Sequence, residues 1–142
     1  MSPFNEVECG DHYARSMASY GVFLAACGFE CDGPKGRIGF APRVTPQDFR
    51  AAFTAPEGWG SFNQAMVRHS LTARLTMKWG RLRLKTLVLQ LPPGAASDPT
   101  VHARVDGSTV KTTCRRDGRR LEVLFSPPLV LKARQTLQVR IG

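Results

Sequence analysis

Two hydrophobic periods divide this chain. From His12 to Cys27 the large side chains Tyr13, Met17, Tyr20, Phe23, Leu24 and Cys27 recur at helical spacing. The opposite side of that helix carries Ala14, Ala18, Gly21, Ala25 and Gly28, which are small rather than polar. A helix with no polar side is packed all round. The pattern therefore predicts a buried helix, with Asp11 as its N-cap and Gly28 as its stop. Loop signals follow it: a turn at Asp32-Gly33-Pro34-Lys35-Gly36, a short extended piece from Ile38 to Pro42, a helix start at Thr45-Pro46, and a break at residues 55–60.

The back half reads as strand after strand. Leu71, Ala73, Leu75, Met77 and Trp79 alternate with Thr72, Arg74, Thr76 and Lys78, the period of a half-buried strand. Gly80 is expected to turn the chain. Beyond it Leu82 and Leu84 keep even parity while Leu87, Leu89 and Leu91 are odd, which predicts a bulge near residues 85–87. Further strands are expected at residues 100–105, 109–115, 120–125 and 137–141. Asp106-Gly107 and Asp117-Gly118 between them are hairpin turn signals.

Composition changes this picture in three respects. At 142 residues the chain supports one modest core. Charge is uneven: residues 1–60 carry −2 and residues 61–142 carry +11, giving the overall +9. The low-charge run from Ser16 to Phe29 is 14 residues, too short to cross a bilayer. No basic stretch followed by an apolar one opens the chain, so a cytoplasmic location is expected. Cys9, Cys27, Cys31 and Cys114 lack the paired C-x-x-C spacing of a zinc site, and buried reduced thiols are expected. No metal and no cofactor is implied.

The densest chemistry is the segment Asn5-Glu6-Val7-Glu8-Cys9-Gly10-Asp11-His12-Tyr13-Ala14-Arg15, which sets three carboxylates, a histidine and an arginine beside the apolar helix. Such charges are costly there unless they pair or hold a ligand. Together with Ser16-Met17-Ala18-Ser19-Tyr20-Gly21, this segment resembles the closing part of the glycoside hydrolase family 116 catalytic domain, the family of non-lysosomal glucosylceramidase and bacterial β-glucosidases. The likeness continues through Asp32-Gly33-Pro34-Lys35-Gly36, Ile38-Gly39-Phe40-Ala41-Pro42, Ala52-Phe53-Thr54, Gly58-Trp59-Gly60 and Lys78-Trp79-Gly80-Arg81-Leu82, covering about residues 3–91.

The resemblance implies an (α/α)6 barrel whose last inner helix is the predicted one, and retaining chemistry by a glutamate nucleophile and an aspartate acid/base. In such enzymes the two carboxyls stand about 5 Å apart across the scissile bond. Neither of their motifs is matched here, so no catalytic residue is assigned. What carries over is glycone recognition: Glu6 and Arg15 match the pair that hydrogen-bonds the outer hydroxyls of the glucosyl ring. A carboxylate accepts from two neighbouring hydroxyls, and a guanidinium donates in a fixed fork.

On spacing alone Glu6 and Arg15 read as an ion pair tying loop to helix; the resemblance makes them sugar contacts. Glu8 reads as a helix-start acid, His12 and Tyr13 as packing residues, and Trp59 as a core or loop anchor before a sugar-stacking ring. The basic positions Arg74, Lys78, Arg81, Arg83 and Lys85 read as a solvated sheet face.

The expected fold is thus an α+β fragment: one buried inner helix from the end of an (α/α)6 barrel, followed by a β-rich antiparallel C-terminal region. Residues 1–58 form the barrel remnant and residues 59–142 the basic β region. The expected function is the C-terminal part of a retaining β-glucosidase, contributing glycone contacts and inactive alone because the catalytic Glu/Asp pair lies upstream. Its expected partners are the glucosyl ring of a β-glucoside and the upstream catalytic region. An alternative is a stand-alone basic β-module that binds polyanions, either nucleic acid or an anionic membrane surface. Specific nucleic-acid readout is not expected, because Phe62, Trp79 and Phe125 are the only aromatic residues of the basic half.

Overall fold

The computed structural model of the protein describes residues 11–142, with helix side chains described from Met17 onward. Among these residues are one helix, α1 (Asp11–Cys27), and ten strands. The strands are β1 (Glu30–Asp32), β2 (Arg37–Phe40), β3 (Asp48–Ala55), β4 (Gly58–Val67), β5 (Ser70–Gln90), β6 (Val101–Val105), β7 (Ser108–Val110), β8 (Thr112–Asp117), β9 (Arg120–Lys132) and β10 (Thr136–Ile141).

The α+β barrel-remnant expectation is overturned. The described chain is mostly β, a mixed sheet of ten strands, and its strands begin at Glu30 rather than after residue 58. The helix start expected at Thr45-Pro46 leads directly into β3 instead. Phe49 and Phe53 face inward there, between outward Arg50 and Thr54, and the partner hairpin strand β4 supplies the ladder. The sheet is not purely antiparallel either, since β2 runs parallel to the end of β5.

β5 organises the molecule. Its first half pairs with β4 and β10, continuing through β6 to β7, with β3 outside β4. Its second half pairs with β9 and β2, with β8 and β1 outside them. Gly80, expected to reverse the chain, sits inside β5 at φ 75°, where a Cβ would stand 2.1 Å from the Glu57 carbonyl oxygen. The glycine therefore bends one strand from one half-sheet into the other. The predicted parity slip is present as a register shift between Leu84 and Thr86. The Asp106-Gly107 turn has positive φ at both residues, as a type I′ hairpin requires.

The two half-sheets face each other across the core. Phe40 of β2 stacks on Phe62 of β4 with ring centroids 3.8 Å apart and planes 1° from parallel. Around them lie the fully buried Leu75, Leu84, Leu87, Leu121 and Leu137. These are the inward residues of alternating strands, and the alternation is what lets each half bury one side.

α1 forms where the 3.6-residue period places it, but among the described residues only its last turn reaches the core, through Cys27. Met17, Tyr20, Val22 and Phe23 are 62%, 54%, 69% and 41% exposed. The helix is held at its end. Ala41 donates its backbone N–H to the Cys27 and Gly28 carbonyls, and Arg43 donates to Ala26 at 2.9 Å, so residues after β2 satisfy the orphan carbonyls of the last turn. Gly28 has φ 54°, and a Cβ there would lie 2.2 Å from the Ala41 carbonyl oxygen. The sequence period reports which sides of a helix are apolar; it does not report what lies against them.

Candidate functional site

Of the two residues singled out for sugar contact, Glu6 lies outside the described residues. Arg15 lies in α1, and its side chain is outside the described set, as are those of His12 and Tyr13. The described structure therefore speaks to the helix that carries Arg15 rather than to the Glu6–Arg15 contact. Among the described residues that helix has an uncovered apolar flank. Tyr20 and Phe23 lie one turn apart with ring centroids at 6.4 Å, forming a continuous aromatic strip beside Met17. Each such side chain gains about 1.5–3 kcal/mol on full burial, so the flank is a strong driver for covering contact.

Five acids of the β region, Glu30, Asp32, Asp48, Glu57 and Glu122, stand within 4 Å of a basic side chain. Arg37 donates to Glu122 at 2.7 Å and also approaches Glu30, which accepts from Arg120 at 2.6 Å. This network lies over the outer side of β5, where Thr86 and Val88 are buried although they point away from the core. Arg81 makes a two-pronged contact with Glu57 at 2.7 and 3.0 Å. The hydrogen bond from Arg37 holds the Glu122 carboxyl below its ordinary value, and Arg81 does the same for Glu57. Hydrogen bonds from Lys35 likewise lower Asp32. A general acid requires the opposite shift.

Glu122 couples stability to pH. A carboxyl whose folded pKa is depressed contributes fully above its unfolded value of 4.5 and loses that contribution as pH falls through the folded value. Thermal melts of wild type and Glu122→Gln should therefore differ most near pH 7 and converge only as pH falls through the lowered folded pKa of this carboxyl. Parallel Tm-against-pH profiles would contradict this.

Other expectations shift in the structure. Cys27 is buried and its thiol pKa is raised by burial, but Cys31 and Cys114 are exposed rather than buried; all three are free, and Cys9 lies outside the described residues. Among the described residues no three His, Cys, Asp or Glu side chains gather in a metal-binding cluster. Among them too, no helix is long and apolar enough to cross a membrane.

Trp59, expected to anchor the core or a loop, is 49% exposed, and Trp79, placed by alternation among the inward residues of its strand, is 65% exposed. The reason is a bulge. Gly60 pairs with Met77 but Trp59 pairs with Trp79, so Lys78 is the extra residue and the parity of β5 reverses. Directly opposed residues share a side of the sheet, which puts both indoles on the outer one. Nothing in the local sequence announces an inserted residue, because the bulge is defined only against the partner strand.

Comparison with protein-family models, with curated proteins and with solved structures found no match to this chain.

Proposed function

We propose that this chain is the C-terminal part of a retaining β-glucosidase of the family 116 type, and that it supplies one wall of the glucose pocket through Glu6 and Arg15 without performing bond cleavage itself. The nucleophile and acid/base come from a separate catalytic region, against which α1 packs. Glu6 accepts from the outer hydroxyls of the glucosyl ring while Arg15 donates to them and balances the carboxylate. Holding the ring in this way positions its anomeric carbon for attack.

The observation that supports this reading best is the exposed flank of α1. Met17, Tyr20 and Phe23 share one side of a helix that begins in the motif carrying the family resemblance, and among the described residues that helix is fastened to the sheet at its far end. Exposed apolar strips of this kind mark interaction surfaces. The stand-alone polyanion-binding module gives that flank no role.

Complementation tests the proposal. The chain alone should release no nitrophenol from aryl β-glucosides. Co-expressed with a family 116 catalytic region deprived of its own closing segment, it should co-purify and restore hydrolysis. Tyr20→Glu with Phe23→Glu should abolish both effects while leaving the melt of the β region unchanged, because those side chains touch helix surface rather than core. Hydrolysis by the purified chain alone, or failure of the pair to associate, would overturn the proposal.

A further inference from the structure

The outer side of the half-sheet β3–β4–β5–β10–β6 carries a second concentration of chemistry that the glucose-pocket reading leaves unused. The register sets Arg50, Asn63, Arg74, Gln138 and Arg104 in one row across five strands. The next row holds Asp48, Ala65, Thr72, Arg140 and His102. With neighbouring strands about 4.8 Å apart, the row of arginines spans roughly 20 Å. Clefts of about 430 Å³ and 170 Å³ open on this side, one lined by Arg50, Arg74 and Arg140 and the other by His102, Arg104 and Arg140.

The charge is poorly balanced. Asp48 stands 3.8 Å from Arg50, with both side chains about three-quarters exposed, and among the described residues Arg74, Arg104 and Arg140 have no carboxylate partner within 4 Å. The side-chain amide nitrogen of Gln138, in the middle of the arginine row, is buried without a hydrogen-bond acceptor. The surface thus offers forked donors in excess, which suits carboxylate or sulfate groups spaced along a chain.

At the far end of the same side stand Trp59 and Trp79, with Thr54 beside them on β3 and Ser61 and Thr76 in the next row. Indole faces take the apolar faces of flat rings, and the hydroxyls take polar substituents at the ring edges. Rings at one end and guanidinium groups at the other describe a polymer that is both cyclic and acidic.

We infer that this face binds an acidic polysaccharide, its pyranose rings on Trp59 and Trp79 and its carboxylate or sulfate groups on Arg74, Arg104 and Arg140. The choice of a carbohydrate over a single-stranded nucleic acid rests on the glucosidase reading; the face itself, and its charge, do not. The bound polymer would keep the glucose pocket on an acidic glycan carrying β-glucosyl units.

The test uses the full chain and three probes: polygalacturonate, dextran sulfate and neutral dextran. Wild type should bind one or both acidic polymers at low salt, weakening steeply as salt rises, and should ignore neutral dextran. Arg74→Glu with Arg140→Glu should weaken binding by at least about tenfold, as the loss of charge-assisted contacts predicts. Trp79→Ala should weaken it at high salt, where charge is screened. Arg83→Glu, an equal charge change per site on the other half-sheet, should leave it near wild type. Equal loss from Arg83→Glu, absence of binding, or displacement by oligothymidylate at lower charge concentration than by the glycans would each overturn the inference. Hydrolysis in the complementation assay uses short aryl glucosides and is unaffected by these variants, so the two proposals fail separately.

Discussion

Glu6→Gln and Arg15→Ala, each introduced into the complemented enzyme, should lower kcat/KM on aryl β-glucosides by roughly 30- to 1000-fold. The estimate follows from the cost of about 2–4 kcal/mol for removing one member of a desolvated, hydrogen-bonded charge pair, which leaves the other charge without its partner. Much of the loss should fall on kcat, because the glycone contacts tighten as the ring distorts toward the oxocarbenium-like transition state. In the proposed pocket the two side chains serve the same hydroxyls, so the double variant should be barely worse than the worse single one. A deoxyglucoside lacking the contacted hydroxyl should be a poor substrate for wild type and almost insensitive to either substitution. If the variants instead lose activity equally on the parent and deoxy substrates, the pair merely ties loop to helix.

The second large effect belongs to the fold. Phe62 is fully buried and lies flat against Phe40 at 3.8 Å, joining β4 of one half-sheet to β2 of the other. Its edge also approaches Phe49 of β3. Phe62→Ala removes a ring from the place where the two halves meet, at a cost of about 3–5 kcal/mol in lost transfer energy and residual cavity. For a chain of this size that corresponds to a fall in Tm of roughly 10–20 °C. Phe62→Leu keeps most of the volume and should cost less than half as much. The melt should remain a single transition in both variants, because β5 threads both half-sheets and neither can lose its core alone. A drop under about 3 °C for Phe62→Ala, or two separated transitions, would contradict this account of the core.

These two predictions draw on different depths of sequence information. The strands of the back half were legible because one residue in two must face the core, and Leu71, Ala73, Leu75 and Met77 keep that alternation without a break. β3 carried the same signal in Phe49, Ala51 and Phe53, but small alanines weakened the contrast and Thr45-Pro46 imitated a helix start. Its ladder depends on β4, and no local pattern records a partner.

Tertiary facts were hidden throughout. Gly80 reads as a turn from its neighbours and acts as a bend only because β5 continues on new partners. Trp79 reads as core until the extra Lys78 is counted against β4. The arginine face needs β10 to insert between β5 and β6, which are neighbours in sequence but not in the sheet. Helix α1 shows the limit most plainly: its composition identifies a helix that wants apolar surroundings, and those surroundings are not the β region of this chain. The Glu6–Arg15 assignment came from resemblance rather than from periodicity or spacing, and the exposed helix beside it is what gives the proposal physical support.

A structure of the complemented enzyme bound to a glucose-configured inhibitor addresses the central claim most directly. The account predicts the Glu6 carboxylate and the Arg15 guanidinium within about 3 Å of the outer hydroxyls of the sugar, with Tyr20 and Phe23 packed against the catalytic region. A ring held in the pocket with neither side chain in hydrogen-bond reach would contradict it.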